Sequence, residues 1–222
     1  NGRAFRPHWG AWLRKVKIGI PIAVEGVLFC FVYFFLTRIT TRFGVAAVAA
    51  LGVCHKIESL AYFVHVSFGE AASTLAAQNL GARKPERAER CAWTTSGIAS
   101  VFSAVLGLLF FVFAEAILGF FTRDAAIVAH GARYLRIVAI PQIFSSLHHA
   151  VAGAFSGAGD TLPPTLITIP SILLRIPVAY WLSLRVLGAV DGVWWAIALT
   201  MVLNGTLLPL WFMRGNWKNK RV

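Results

Sequence analysis

Six apolar stretches, each long enough to cross a lipid bilayer, follow one another along the 222 residues with short polar or charged breaks between them. A spanning helix needs roughly 20 mostly apolar residues, and the runs Ile18 to Thr37, Val45 to Ala77, Ala92 to Phe121, Ala125 to Phe155, Pro164 to Leu187 and Asp191 to Met213 all meet that need. With 58% hydrophobic and 14% charged residues the chain is also more apolar than ordinary globular domains. The expected fold is therefore an all-α integral membrane protein with six transmembrane helices. A basic segment over 1–17 leads into the membrane lobe at 18–213, and a basic tail follows at 214–222. The second and fourth runs exceed what a bilayer requires, so they must tilt, bend or protrude, and Pro141 predicts a kink in the fourth.

The formal net charge of +12 would suggest a nucleic-acid partner if the basic residues formed a stripe on a soluble face. They lie between apolar runs instead, which excludes that class and reads as membrane topology. One side collects Arg3, Arg6, Arg14, Lys15 and Lys17, then Arg83, Lys84, Arg87 and Arg90, and finally Arg214, Lys218, Lys220 and Arg221. The other side has Arg38, Arg42, Arg123 and Arg185, with Arg133 and Arg136 just inside a helix start. By the excess of Lys and Arg in cytoplasmic loops, both termini are expected on the cytoplasmic side of the cell (inner) membrane. Trp181, Trp211 and Trp217 fall where interfacial aromatic belts are expected. Cys30, Cys54 and Cys91 are widely spaced and form no C-x-x-C pair, so neither a zinc site nor a disulfide framework is indicated. The first residue is Asn1, and no signal-peptide core follows it. The chain is expected to begin mid-protein.

An ionisable side chain at the bilayer centre costs roughly 2.5 to 3.5 kcal/mol on insertion scales, so each one invites a functional reading. Glu25 stands beside Val27, Leu28 and Phe29, where a bare carboxylate is costly unless a cation or several hydrogen bonds accompany it. Such a group can exchange a proton for a cationic substrate or another ion, although an acid bonded to a neighbouring helix for packing would look the same. Glu58 has His55, Tyr62 and His65 at helical spacings, which makes one polar stripe. That stripe could line an aqueous cavity, contact cations or relay protons. It could equally join helices by hydrogen bonds alone. Glu70 lies nearer the basic loop, where a gating or snorkelling role suits it, and Glu115 lies near a helix end. His148 and His149 either face the cavity or simply pack. As helix neighbours these two diverge by about 100° and lack a carboxylate four residues on, so no metal site is expected. No cofactor is implied. Neither a G-x-S-x-G nor a phosphate-binding loop is present, so nothing marks the chain as an enzyme.

Two polar connections carry further information. Residues Ala71-Ala72-Ser73-Thr74-Leu75-Ala76-Ala77-Gln78-Asn79-Leu80-Gly81-Ala82, followed by Arg83-Lys84-Pro85-Glu86-Arg87-Ala88, resemble a helix end and cytoplasmic loop of the multidrug and toxic compound extrusion (MATE) transporters. Gly153-Ala154-Phe155-Ser156-Gly157-Ala158-Gly159-Asp160-Thr161 resembles the glycine-rich loop after their tenth helix. With Pro21-x-x-x-Glu25 and Lys56-Ile57-Glu58-Ser59-Leu60, the likeness covers nearly the whole chain, in order, as helices seven to twelve of a twelve-helix fold. The small residues and turn glycines in these motifs also have a plain structural use in close packing and tight turns.

The resemblance implies one six-helix lobe of an alternating-access antiporter, whose other, N-terminal lobe is the missing partner. Small organic, often cationic, substrates would leave in exchange for protons or sodium. Glu25 and Glu58 match acidic positions linked in the family to cation coupling or substrate recognition. Where some members have an acid in the tenth helix, Ser145 and Ser146 stand here, which favours proton over sodium coupling. A lipid or lipid-linked-glycan flippase of the related superfamily and a non-transporting membrane fragment are the alternatives.

Overall fold

The computed structural model describes residues 9–219, so Arg3, Arg6, Lys220 and Arg221 lie outside the described residues. Eight α-helices make up nearly all of the described chain: α1 Trp9–Thr40, α2 Val45–Gly81, α3 Pro85–Val112, α4 Ala114–Phe121, α5 Ala125–Val138, α6 Pro141–Gly157, α7 Leu162–Trp181 and α8 Asp191–Phe212. Five helical stretches are each long and apolar enough to span a membrane, and α5 with α6 forms a sixth, bent by 55°. The chain is thus a multi-pass membrane protein. Its six passes match the six runs of the sequence, with three differences. The first helix starts at Trp9, inside the expected basic segment. The third run breaks at Phe113, which leaves α4 as a separate short helix. The fifth ends in a π-helical turn at Leu182–Val186.

The bend in the sixth span and the adjoining helix ends have local causes. Pro141 has no N–H to give to the preceding turn, so the helix ends at Val138 and restarts at Pro141. The backbone left open there is covered by α3, where a Cβ on Gly107 would lie 2.3 Å from the Ala139 carbonyl oxygen. Helix α5 is started by Asp124, whose Oδ1 accepts from the Ala126 N–H at 2.8 Å and the Ile127 N–H at 3.3 Å. At the far end of α6, Asp160 N–H donates to the Phe155 carbonyl and Gly159 N–H to that of Ser156, a Schellman stop with Gly159 at φ +72°.

The end of α2 has the same pattern, with Lys84 N–H on Asn79 and Arg83 N–H on Leu80. Here the left-handed position is held by Arg83 at φ 58°. A non-glycine residue there costs about 1 kcal/mol, so Arg83→Gly should raise the thermal stability of the full-length protein by about that amount, read as a higher unfolding midpoint in detergent.

Helices α2 and α6 pack backbone to backbone. A Cβ on Gly153 would stand 2.0 Å from the Gly69 carbonyl oxygen, and one on Gly157 would stand 2.1 Å from that of Ser73. Gly157 therefore serves close approach, and only Gly159 makes the turn. Arg133 pairs with Asp191 at 3.4 Å and Arg136 with Glu115 at 3.0 Å at one end of the bundle. Lys218 pairs with Glu89 at 2.5 Å at the other end, which also bears Arg83, Lys84, Arg87 and Arg90 and is called the basic end below. Trp181 is well exposed, as an interfacial residue should be. Trp217 is not: it is buried, stacks on Phe212 at 4.5 Å and donates its indole N–H to the Phe212 carbonyl at 3.2 Å, which pins the segment after α8 beneath the bundle.

Candidate functional site

Helix α2 delivers Glu58 to the point where the sixth span is broken. The Tyr134 hydroxyl, on α5, donates to one carboxylate oxygen, and the Gln142 amide, on α6, donates to the other at 3.1 Å. One carboxylate therefore ties together the two halves of a bent helix. Tyr134 and Gln142 are both buried, and the Tyr134 ring meets Trp194 edge-on at 5.0 Å. From α7, Arg175 is 9% exposed, and its charge acts on Glu58, Tyr134 and His55. Its Nε donates to the Thr200 hydroxyl on α8 at 2.8 Å, and that hydroxyl bonds back to its own helix. Five helical segments thus meet at one knot of polar side chains near mid-span. The buried arginine and the part-buried glutamate make no direct ion pair within 4 Å, but each charge favours the other in this apolar setting.

The remaining expected residues separate. The Glu25 carboxylate is within reach of the Thr165 side chain in the first turn of α7. Ten residues divide Thr165 from Arg175, about 15 Å along the helix. Glu25 and Glu58 are therefore two stations at different depths. His55 faces α1, with its ring centroid 4.5 Å from Tyr33 and 5.8 Å from Phe29. Tyr62 is half exposed and meets His149 edge-on at 5.2 Å. His65 is buried and shares a 2.9 Å hydrogen bond with Ser103 of α3. The stripe is continuous along α2, but its members answer to different neighbours.

Two apolar crevices, of about 400 and 300 Å³, lie elsewhere. One is between α3, the bend and α8, and the other is beside α2, α3 and α4. Among the described residues no group of three or more metal-ligating side chains comes together. Arg175, Tyr134 and Gln142 did not figure among the candidates from sequence. Arg175 could have, because it interrupts Leu173-Leu174-Arg175-Ile176-Pro177 just as Glu25 interrupts its own run.

The MatE family model matches residues 21–181. The chain is 28% identical over 224 residues to the "Probable multidrug resistance protein NorM" of Thermotoga maritima, covering 97% of this chain and 47% of that protein. It is 29% identical over 216 residues to the multidrug resistance protein NorM of Burkholderia vietnamiensis, covering 92% and 46%. Among solved structures, a MOP superfamily transporter from Pyrococcus furiosus superposes with a TM-score of 0.89 at 20% identity, over 99% of this chain and 50% of that one. A multidrug resistance MATE family transporter in an outward-facing conformation gives 0.88 at 21% identity, over 99% and 50%. The chain spans about half the length of the curated relatives it matches, and its fold is one lobe of the twelve-helix transporter fold.

Proposed function

The chain belongs to the MatE family, and from that premise we propose that it is the C-terminal lobe of a secondary antiporter that exports small organic cations. The observation that carries the reading is Glu58, a carboxylate bonded to both halves of the broken span and balanced by Arg175. With Glu58 ionised, the pair is electrically neutral. Either a proton on Glu58 or a substrate cation beside it brings the site to one net positive charge, and both together bring it to two. In a low-dielectric site the second charge is strongly disfavoured, so the two loads exclude one another, as exchange requires.

Taking up a proton also removes the charged acceptor from Tyr134 and Gln142, which weakens the tie across the bend. Charge-assisted hydrogen bonds of this kind are roughly twice as strong as neutral ones. Loading and helix geometry are coupled in this way. Glu25 serves as a second cation-accepting station nearer the basic end, with α7's first turn and Thr165 beside it. Protons are the favoured coupling ion, since Ser145 and Ser146 offer no second carboxylate at the bend. The excess of Arg and Lys at the basic end supports a cytoplasmic position for it.

A flippase would call for a cationic groove open to lipid. The crevice at the bend has one arginine in its wall, Arg136, and that residue is already paired with Glu115, which favours efflux. The test is accumulation of a fluorescent cationic dye in efflux-deficient cells that express the full-length protein. Wild type lowers accumulation. Glu58→Gln, at the same membrane level, loses at least about tenfold in export rate, a loss of roughly 1.4 kcal/mol in the transport barrier. Phe155→Leu, a buried swap against Phe212 remote from Glu58, exports normally. Equal export by wild type and Glu58→Gln removes the carboxylate from the mechanism.

A further inference from the structure

Toward the basic end from Glu58, three imidazoles come together that the exchange site does not use. His65 of α2 and His149 of α6 lie 5.9 Å apart, and His148 meets His149 at 5.3 Å. The Nδ1–H of His149 donates to the Ser145 carbonyl at 2.8 Å. Because a carbonyl only accepts, the proton of the neutral ring is fixed on Nδ1, and Nε2 is left as a base with no hydrogen bond among the described residues. His65 has a hydroxyl partner in Ser103, which can donate or accept. His148 is buried beside Thr168 at 3.5 Å and the Asn204 backbone, and its Nδ1 makes no hydrogen bond of standard geometry.

The surroundings are polar but without fixed charge. Tyr62 and His65 face His149 from α2, Ser103 stands behind them on α3, and Thr168 and Asn204 close the group from α7 and α8. Among the described residues no carboxylate, lysine or arginine bonds to any of the three rings. Glu70, the next acid along α2, is exposed. Tyr62, edge-on to the His149 ring, is half exposed. Along α6, His149 is seven residues from Gln142, the partner of Glu58, about 10 Å of helix. Along α2, the same two levels are joined by Glu58, Tyr62 and His65.

We propose that His65, His148 and His149 form a second proton-binding site, in series with Glu58, whose acceptor is Nε2 of His149. An incoming proton forms an N–H bond at Nε2 and leaves by breaking that same bond, while Nδ1 keeps its own proton and its bond to Ser145. The Ser145 carbonyl keeps its hydrogen bond from Nδ1–H of the imidazolium, and the polar rings of Tyr62, His65 and His148 surround the ring in place of a counter-ion. The purpose assigned to the site rests on the antiport reading, but its existence does not.

Two measurements on the full-length protein keep those apart. The first is nitrogen NMR of protein labelled with ¹⁵N-histidine, titrated from about pH 9 to about pH 4 across the histidine range, with the His149 signals assigned by their loss in His149→Gln. The expected result is an Nδ1–H ring that gains a proton reversibly at Nε2, with a midpoint that moves in Glu58→Gln. A ring protonated on Nε2 at the start, or one that never takes a second proton, overturns the proposal. The second is dye export. His149→Ala slows it about a hundredfold, the lower end of what a positioned acid–base group contributes, and added imidazole restores it, whereas imidazole leaves Glu58→Gln slow. A folded His149→Ala protein with full export, or one that imidazole does not rescue, removes the series connection. A wild type that exports no cation and whose NMR titration behaves as expected would overturn the antiport reading and leave the proton site standing.

Discussion

Replacing Arg175 by methionine lowers the thermal unfolding midpoint of the full-length protein in detergent, by a loss of about 3 kcal/mol, and adding Glu58→Gln to the same protein returns most of it. The reason lies in the shared knot. Methionine fills much of the arginine's volume, so packing changes little, but Glu58 loses the positive charge that acts on it, and removing one partner of even a fully buried pair costs about 3–5 kcal/mol, which sets the upper bound here. Removing the second charge as well takes that penalty away, because replacing a buried ion pair by neutral groups is often near neutral. The double-mutant cycle isolates the coupling. If Arg175→Met and the double variant melt together, the two side chains do not balance one another, and the neutral empty site on which the exchange argument depends is wrong.

Gly153→Val is expected to do more harm still. The added side chain would begin 2.0 Å from the Gly69 carbonyl oxygen and 2.8 Å from the Gly69 Cα. Both neighbours are backbone of a long helix, so no rotamer change relieves the clash, and α2 and α6 must separate. Overpacking in a core costs about 1–3 kcal/mol where side chains can adjust. Here the loss should exceed about 4 kcal/mol, at the far end of single-substitution effects. Size-exclusion profiles of detergent extracts should show little folded protein. The matched control is Gly97→Val on α3, where a Cβ meets nothing within 4 Å and the profile should stay at wild type. A normal profile for Gly153→Val would mean that the two helices are not in backbone contact.

The six passes were legible because bilayer thickness sets a length that the apolar runs satisfy one by one. The bend in the fourth was legible because Pro141 removes a donor, whatever its surroundings. The break at Phe113 was not: Val112-Phe113-Ala114 contains neither proline nor glycine, and the separate α4 is held by tertiary contacts such as Leu118 against Gly131.

For the site, helical spacing puts His55, Glu58, Tyr62 and His65 along one stripe of α2. A period of 3.6 says which residues share a face, yet it does not say which helix stands opposite. Hence His55 turns to Tyr33, His65 to Ser103 and Glu58 to Tyr134 and Gln142, partners between 22 and 84 residues away in the chain. Trp217 misled for a similar reason: a tryptophan after the last span resembles an interfacial anchor until a turn of chain folds it back onto Phe212.

The length of α2 has a mechanical consequence. Its 37 residues extend about 55 Å, well beyond a hydrocarbon core of about 30 Å, and it touches α6 most closely at Gly69. That contact lies 11 residues from Glu58 and 12 from Gly81, so it falls midway between the carboxylate and the basic end of the helix. A stiff rod resting on such a fulcrum behaves as a seesaw. A displacement that a change of charge produces at Glu58 would then return in the opposite sense at the turn of Arg83 and Lys84, so a spectroscopic label on that turn would report the state of a carboxylate about 35 Å away.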